Sequence, residues 1–108
     1  VRVLAEARAV DEAGCFAIVL EGVSEELADE ITRSVRAPTI GIGASPRCDG
    51  QILVTDDMLG VFEWTPKFVR RYADLRGSIT DAVSRYAADV RSVAVPGDAE
   101  VYRFKTKA

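Results

Sequence analysis

The chain has 108 residues, enough for one small domain. Its 14 basic and 17 acidic residues give a formal charge of -3, which argues against nucleic-acid and anionic-membrane partners because both attract dense Lys and Arg. No apolar run approaches the roughly 18 residues of a membrane span, and the two cysteines fit a cytoplasmic location rather than a disulfide framework. The absence of histidine excludes His-based triads and His-ligated zinc. Because the chain begins at Val1 without a leader, we expect it to be part of a longer protein.

A helix and a buried strand are predicted at the start of the chain. Val3, Ala7 and Val10 recur at helical spacing, and Gly14 suits the position after a helix end. The continuous apolar run 15–20 is too short for a helix, and it predicts a parallel strand that is buried on both faces.

A second helix and two further strands follow. Ser24 is a plausible N-cap, and the apolar positions after it share one helix face: Leu27, Ile31 and Val35. Pro38 cannot continue that helix, so strands are predicted over 39–43 and 50–54. The loop 44–49 between them is too short for a full crossover helix.

Two helices are predicted in the last part of the chain. Pro66 can open the first, which stops near Gly77 and carries Phe68, Val69 and Tyr72. Ser78 and Asp81 resemble a capping box ahead of an apolar stripe formed by Ile79, Val83, Tyr86 and Val90. The alternation of helices and parallel strands predicts the α/β class.

Glu21 is the leading candidate for catalysis. Strand alternation places Phe16, Ile18 and Leu20 on one face and Ala17, Val19 and Glu21 on the other. A carboxylate at the C-terminal end of such a strand lies where α/β folds place active sites. We expect it to be partly buried and to be usable as a general base. The alternative is a carboxylate that binds loop amides or is simply solvated.

Glycines and paired aspartates suggest two other sites. The segment from Gly41 through Gly43 fails as a phosphate loop because Pro46 stands where a third glycine is needed, so the glycines more plausibly make room for a neighbouring group. Asp56 and Asp57 follow the third strand and can converge with Glu21 on one rim, holding Mg²⁺ or orienting a substrate. A turn or a helix cap explains this pair equally well.

Three further features are weaker candidates for a functional role. Cys48 lies in a polar loop, where a bystander thiol is more plausible than a reactive one. The basic residues Lys67, Arg70 and Arg71 are expected on a solvated helix face. Trp64 suits either a core anchor or a subunit contact.

Several segments match one enzyme family in register. They are AGCFAIVLEGV (13–23), ELA (26–28), IT (31–32), PTIGIGA (38–44), CDGQILV (48–54), DMLG (57–60), PKFV (66–69) and RYA (71–73). Through them the chain resembles ketopantoate hydroxymethyltransferase, also called 3-methyl-2-oxobutanoate hydroxymethyltransferase, and the resemblance thins after Val95.

The resemblance implies a TIM barrel in which these strands are the sixth, seventh and eighth. It implies transfer of a hydroxymethyl group from 5,10-methylenetetrahydrofolate to 3-methyl-2-oxobutanoate, giving 2-dehydropantoate for pantothenate, with Mg²⁺ holding the keto acid. Glu21 matches the catalytic base of the family. Residues 1–95 would be the C-terminal portion of the barrel domain and 96–108 a tail. The full-length protein would be a cytoplasmic homo-oligomer.

The chain departs from the family pattern at Ser24, Ser45 and Asp56, where proline, glycine and histidine are usual. We expect these residues on loops above the strands, where they would affect substrate geometry without affecting the fold. The family's metal-binding Asp and Glu, and the Ser and Lys that hold the keto acid, belong to its first five strands, so no metal ligand is assigned here.

We therefore expect the 108 residues to be inactive alone, and the resemblance assigns no folate-binding residue. Two alternatives stay open. One is a non-catalytic remnant or pairing module, and the other is a Mg²⁺-dependent TIM-barrel enzyme of the phosphoenolpyruvate mutase and isocitrate lyase type.

Overall fold

The computed structural model describes residues 2–105, and the chain divides into two compact units between Ala73 and Asp74. The first unit contains six elements: α1 (Arg2–Glu12), β1 (Ile18–Glu21), α2 (Glu25–Ser34), β2 (Thr39–Ile42), β3 (Gly50–Gln51) and α3 (Thr55–Met58). The second unit contains α4 (Leu75–Arg91). Among residues 2–105, no helix has both the length and the apolar character needed to cross a bilayer.

The strands form one parallel sheet in the order β1-β2-β3. Ile18 pairs with Thr39 and Glu21 with Ile42, so β1 and β2 end side by side, and Gly41 pairs with Gln51 of β3. The α/β class with three parallel strands is therefore confirmed.

One face of the sheet packs against α1 and α2. The core consists of small and branched residues from helices, strands and the β2–β3 loop: Ala7, Leu20, Ala28, Ile31, Ala44 and Cys48. The predicted N-cap is confirmed, because Ser24 Oγ accepts a hydrogen bond from the Leu27 amide at 3.3 Å. Asp11 ties the end of α1 to the segment after α2 by accepting the amides of Arg36 (3.0 Å) and Ala37 (2.9 Å).

The first strand differs from its prediction in extent and in burial. It spans Ile18–Glu21 rather than 15–20, and Phe16 is exposed. Leu20 is buried under the helices, whereas Val19 on the opposite face is 56% exposed. The prediction of a strand buried on both faces is therefore wrong for this chain, since α1 and α2 cover the Leu20 face while Val19 on the other face is exposed.

The third strand ends after two residues. Ile52 still donates its amide to the Gly41 carbonyl at 3.0 Å, but Val54 already precedes the short helix α3. The strand predicted over 50–54 is thus shortened because the chain turns into a helix at Thr55.

The helix predicted from Pro66 is absent, since residues 59–74 contain no helix. Long-range bonds hold this segment instead: the Tyr72 amide donates to the Met58 carbonyl at 2.8 Å, and the Arg71 guanidinium donates to the Phe62 and Glu63 carbonyls, both at 3.0 Å. Its backbone conformation is therefore set by bonds between residues more than four positions apart, not by the repeating bonds of a helix.

The helix of the second unit begins earlier than predicted. Asp74, not Ser78, is the N-cap of α4, because its carboxylate accepts the Gly77 amide at 3.0 Å. Gly77 consequently lies inside the first turn rather than at a helix end. The predicted apolar stripe is present on this helix, and its members are exposed: Ile79, Val83, Tyr86 and Val90.

Candidate active site

Glu21 is the last residue of β1, at the carboxyl edge of the sheet. Strand alternation puts it on the same face as the exposed Val19, opposite to the buried Leu20. Its side chain is exposed, so the expected partial burial is wrong for this chain. The backbone turns directly after it at Gly22, which has a φ of 70°. The candidate base therefore stands on the face of the sheet opposite to the one that packs against α1 and α2.

Three adjoining concavities open at the carboxyl ends of the strands. Their volumes are about 570, 490 and 430 Å³, and all three share Gly43 and Phe68 in their walls. Gly22 and Val23, which follow Glu21, line the smallest one. This edge of the sheet is where parallel α/β folds bind their ligands.

The Gly43 backbone packs closely against the Phe68 side chain. Its φ of 64° is in the left-handed region, and a Cβ at this position would overlap the Phe68 side chain. A Cβ at Gly41 would lie 3.1 Å from Cys48 Sγ and 3.2 Å from Gln51 Oε1. The interpretation that these glycines make room for neighbouring groups is confirmed, and the groups are side chains of this chain.

A buried carboxylate fixes the loop between β2 and β3. Asp29 of α2 is 9% exposed; it accepts the Ser45 hydroxyl at 2.5 Å and the Arg47 Nε at 2.7 Å. The Arg47 Nη2 also binds Asp29 and reaches Glu25 at 3.0 Å. The hydrogen bonds from Arg47, followed by the one from Ser45, hold the pKa of Asp29 below its usual value.

Ser45 lies in the loop between β2 and β3 and lines the 570 Å³ concavity. It is 4% exposed; its hydroxyl binds Asp29, its Oγ accepts the Arg47 amide at 3.1 Å, and its carbonyl accepts Gln51 Nε2 at 2.7 Å. These bonds hold the loop to α2, and the effect of this residue on substrate geometry stays a prediction.

Cys48 is buried rather than exposed in a polar loop. It packs in the core beside a second network, in which Thr39 binds Thr32 (Oγ1 to Oγ1, 2.9 Å) and donates its amide to the Asp49 carboxylate at 2.8 Å. The burial of the thiol supports the bystander interpretation.

The paired aspartates lie at the start of a short helix. Asp56 and Asp57 lie in the first turn of α3, where carboxylates favour the positive end of the helix. Within residues 2–105 no group of three or more Asp, Glu, Cys or His is placed to hold a metal ion. The predicted convergence with Glu21 on a metal is therefore not found among the described residues.

The basic cluster divides between two roles. Arg71 holds the loop through its carbonyl contacts, while Lys67 lines the smallest concavity and Arg70 lines the other two. The three basic residues are exposed as predicted, but the predicted helix is wrong, because this segment is not helical. Trp64 is 76% exposed and is not a core anchor here.

Sequence reasoning missed the Asp29 and Arg47 pair. The available signal was weak: Glu25 and Asp29 are four residues apart on α2, so they share a helix face. Nothing in the sequence indicates that the β2–β3 loop brings Arg47 onto that face.

Comparisons with known proteins give one consistent result. The sequence model of the ketopantoate hydroxymethyltransferase family matches residues 1–98. A 3-methyl-2-oxobutanoate hydroxymethyltransferase of Phenylobacterium zucineum is 67% identical over 101 residues, covering 94% of this chain and 37% of the relative. Proteins of the same name from Caulobacter vibrioides and Hyphomonas neptunium are 65% and 64% identical over 104 residues, covering 96% of this chain and 38% of each relative. The chain thus spans little more than a third of the length of these relatives.

Proposed function

Since the chain belongs to the ketopantoate hydroxymethyltransferase family, we propose that it is the C-terminal portion of an enzyme of pantothenate biosynthesis. The reaction is transfer of a hydroxymethyl group from 5,10-methylenetetrahydrofolate to 3-methyl-2-oxobutanoate, which gives 2-dehydropantoate. The family match over residues 1–98 carries this proposal, together with the relatives that match 94% and 96% of the chain. It favours this reaction over that of the phosphoenolpyruvate mutase and isocitrate lyase group.

In the whole protein, β1, β2 and β3 are the sixth, seventh and eighth strands of a TIM barrel. The sheet supports this assignment because its strands are parallel, its helices cover one face, and its other face exposes Val19 and Glu21. A barrel needs eight strands and about 250 residues. The edges at β1 and β3 would pair with strands outside this chain. The division at residue 95 between barrel portion and tail stays a prediction.

Glu21 is the general base of the proposed reaction. Its carboxylate accepts the proton from the carbon next to the ketone, and the electron pair of that C–H bond forms the enolate. The enolate carbon then bonds to the one-carbon unit of the folate, and water supplies the hydroxyl group on that carbon. Both bonds from the one-carbon unit to the folate nitrogens break, the nitrogens take up the proton from the keto acid and one proton from water, and tetrahydrofolate leaves. The support is positional: Glu21 ends a parallel strand and stands on the uncovered face beside the concavities.

The family resemblance implies Mg²⁺, whose ligands it assigns to strands outside this chain. The described residues do not by themselves fit such a centre, since residues 2–105 hold no suitable group of three or more ligating side chains. No step of the proposed chemistry on this chain passes through the metal. The 108 residues alone are inactive under this proposal, and a cytoplasmic homo-oligomer stays a prediction for the full-length protein.

The test uses a chimera of the Caulobacter vibrioides relative in which the aligned 104-residue segment is replaced by the corresponding part of this chain. Exchange of the C3 proton of 3-methyl-2-oxobutanoate is followed by NMR in D₂O with Mg²⁺, and no folate is added. The chimera should catalyse exchange, whereas the 108-residue chain alone should not. Glu21→Gln should lower the exchange rate about a hundredfold or more, as expected for loss of a general base.

Glu12→Gln is the matched control, because it removes an exposed carboxylate at the end of α1. It should leave exchange unchanged. Full exchange by the Glu21→Gln chimera would reject Glu21 as the base. A folded chimera without any exchange would favour the non-catalytic remnant.

A further inference from the structure

Two cationic side chains face the concavities without a partner. Lys67 lines the smallest concavity and Arg70 the other two. Among residues 2–105, neither takes part in an ion pair or a side-chain hydrogen bond, in contrast to Arg47 and Arg71. A basic side chain that lacks an intramolecular carboxylate remains available to one on a ligand.

The acidic residue in the same walls is already engaged. Glu25 lines two of the concavities, and its carboxylate binds the Arg47 guanidinium at 3.0 Å. Asp29, which shares that guanidinium, is buried and does not line the concavities. Among residues 2–105, Lys67 and Arg70 are therefore the charged side chains in the walls of these concavities that have no intramolecular partner, and both are positive.

The walls beside these cations are apolar and partly aromatic. The concavity that Arg70 shares with Tyr72 is also lined by Met58, Phe68 and Leu53. Such a wall suits a flat ring system, and the neighbouring cations suit carboxylates. A ligand with both features has an aromatic body that ends in carboxylate groups.

We infer that Lys67 and Arg70 form a carboxylate-binding subsite for the glutamate tail of the folate co-substrate. The inference rests on the proposed function, because that function supplies a ligand whose aromatic rings lead to one or more glutamate carboxylates. The keto acid also carries a carboxylate, so the experiment separates the two sources.

The test measures KM for both substrates in the chimera carrying Lys67→Gln or Arg70→Gln. Each substitution should raise KM for 5,10-methylenetetrahydrofolate about three- to fivefold, the effect of one exposed charge pair. The rise should be larger for a donor with three glutamates than for one with a single glutamate. KM for 3-methyl-2-oxobutanoate should stay the same. The charge-preserving variants Lys67→Arg and Arg70→Lys should restore most of the donor affinity.

Arg91→Gln is the matched control, since Arg91 is an exposed cation of α4 that lines none of the three concavities. It should change neither KM. An unchanged donor KM in the Lys67 and Arg70 variants would overturn the subsite, and so would an equal effect on donors with one and three glutamates. A rise in the keto-acid KM alone would assign the cations to the other substrate and overturn it as well.

Failure of the subsite and failure of the proposed function give different results. Proton exchange in the unsubstituted chimera needs no folate and reports the function alone. If exchange is absent, equilibrium dialysis of tetrahydrofolate carrying one or three glutamates still measures the subsite without turnover. The subsite would be supported if the triglutamate form binds more tightly than the monoglutamate form and if this difference disappears in the Lys67→Gln and Arg70→Gln variants. Equal binding of the two forms by the unsubstituted chimera would overturn the subsite.

Discussion

Replacing Gly43 by alanine perturbs the residue that all three concavities share. The new Cβ would meet two separate obstacles, a backbone with φ of 64° and the side chain of Phe68. Gly22 offers a matched control, because its φ is 70° and nothing lies within 4 Å of a Cβ built there. Gly22→Ala is therefore expected to show the free-energy cost of a left-handed backbone without a clash between side chains.

The two obstacles have separate magnitudes. A left-handed backbone costs an L-residue about 1–2 kcal/mol, which sets the expected loss for Gly22→Ala. Forcing an extra carbon into occupied space costs about 1–3 kcal/mol more, because Phe68 or the loop that carries it must shift. We therefore expect Gly43→Ala to lower the free energy of unfolding clearly further than Gly22→Ala does.

The assay is urea unfolding of the chimera, followed by circular dichroism and extrapolated to zero denaturant. Adding Phe68→Gly, which removes the nearest clashing atom, Phe68 Cβ, should recover the steric part of the loss caused by Gly43→Ala, and a double-mutant cycle measures that recovery. Equal losses for Gly43→Ala and Gly22→Ala would refute the close packing of Gly43 on Phe68. A cycle with no coupling between Gly43 and Phe68 would refute it too.

Further expectations concern the core, the buried carboxylates and the end of α4. Ile31→Ala, at a fully buried position, should cost about 2–5 kcal/mol in urea unfolding, and an unchanged midpoint would show that the core is packed differently. Ser45→Ala should raise the pKa of Asp29, seen in an NMR titration of the carboxyl carbon, because it removes one bond to the charged form. Asp11 and Asp29 both have pKa values below the usual 3.8. The stability that their charged forms add is therefore present in full above pH 3.8 and is lost as the pH falls through their folded-state pKa values. Asparagine at both positions should make the unfolding midpoint depend less on pH between 6 and 3. Val93→Gly should stabilise the protein by about 1 kcal/mol in thermal unfolding, because Val93 has a φ of 62° directly after α4.

The Ser45 side chain attaches the loop between β2 and β3 to α2. Its hydroxyl reaches the buried Asp29 that also binds Arg47. Because glycine has no hydroxyl, Ser45→Gly would remove this bond between the loop and the helix.

The sequence alone determines α2 and the alternation of faces in β1, because both depend on residues that are close together in the chain. The apolar period of α2 and the Ser24 cap act within one or two helical turns, so both were predictable. Alternation in β1 correctly placed Leu20 and Glu21 on opposite faces. Glu21 could be singled out for the same reason, since the end of a strand is visible in the sequence.

Tertiary structure decided what depends on distant partners. Residues 59–74 form no helix, and Tyr72 and Arg71 bond instead to backbone carbonyls of Met58, Phe62 and Glu63, beyond the reach of helical spacing. The Asp29–Arg47 pair forms only when the β2–β3 loop folds onto α2, and the packing of Gly43 on Phe68 joins residues from separate loops. Local periodicity does not predict these tertiary contacts, because the spacing of residues along the chain does not determine which loops pack against each other.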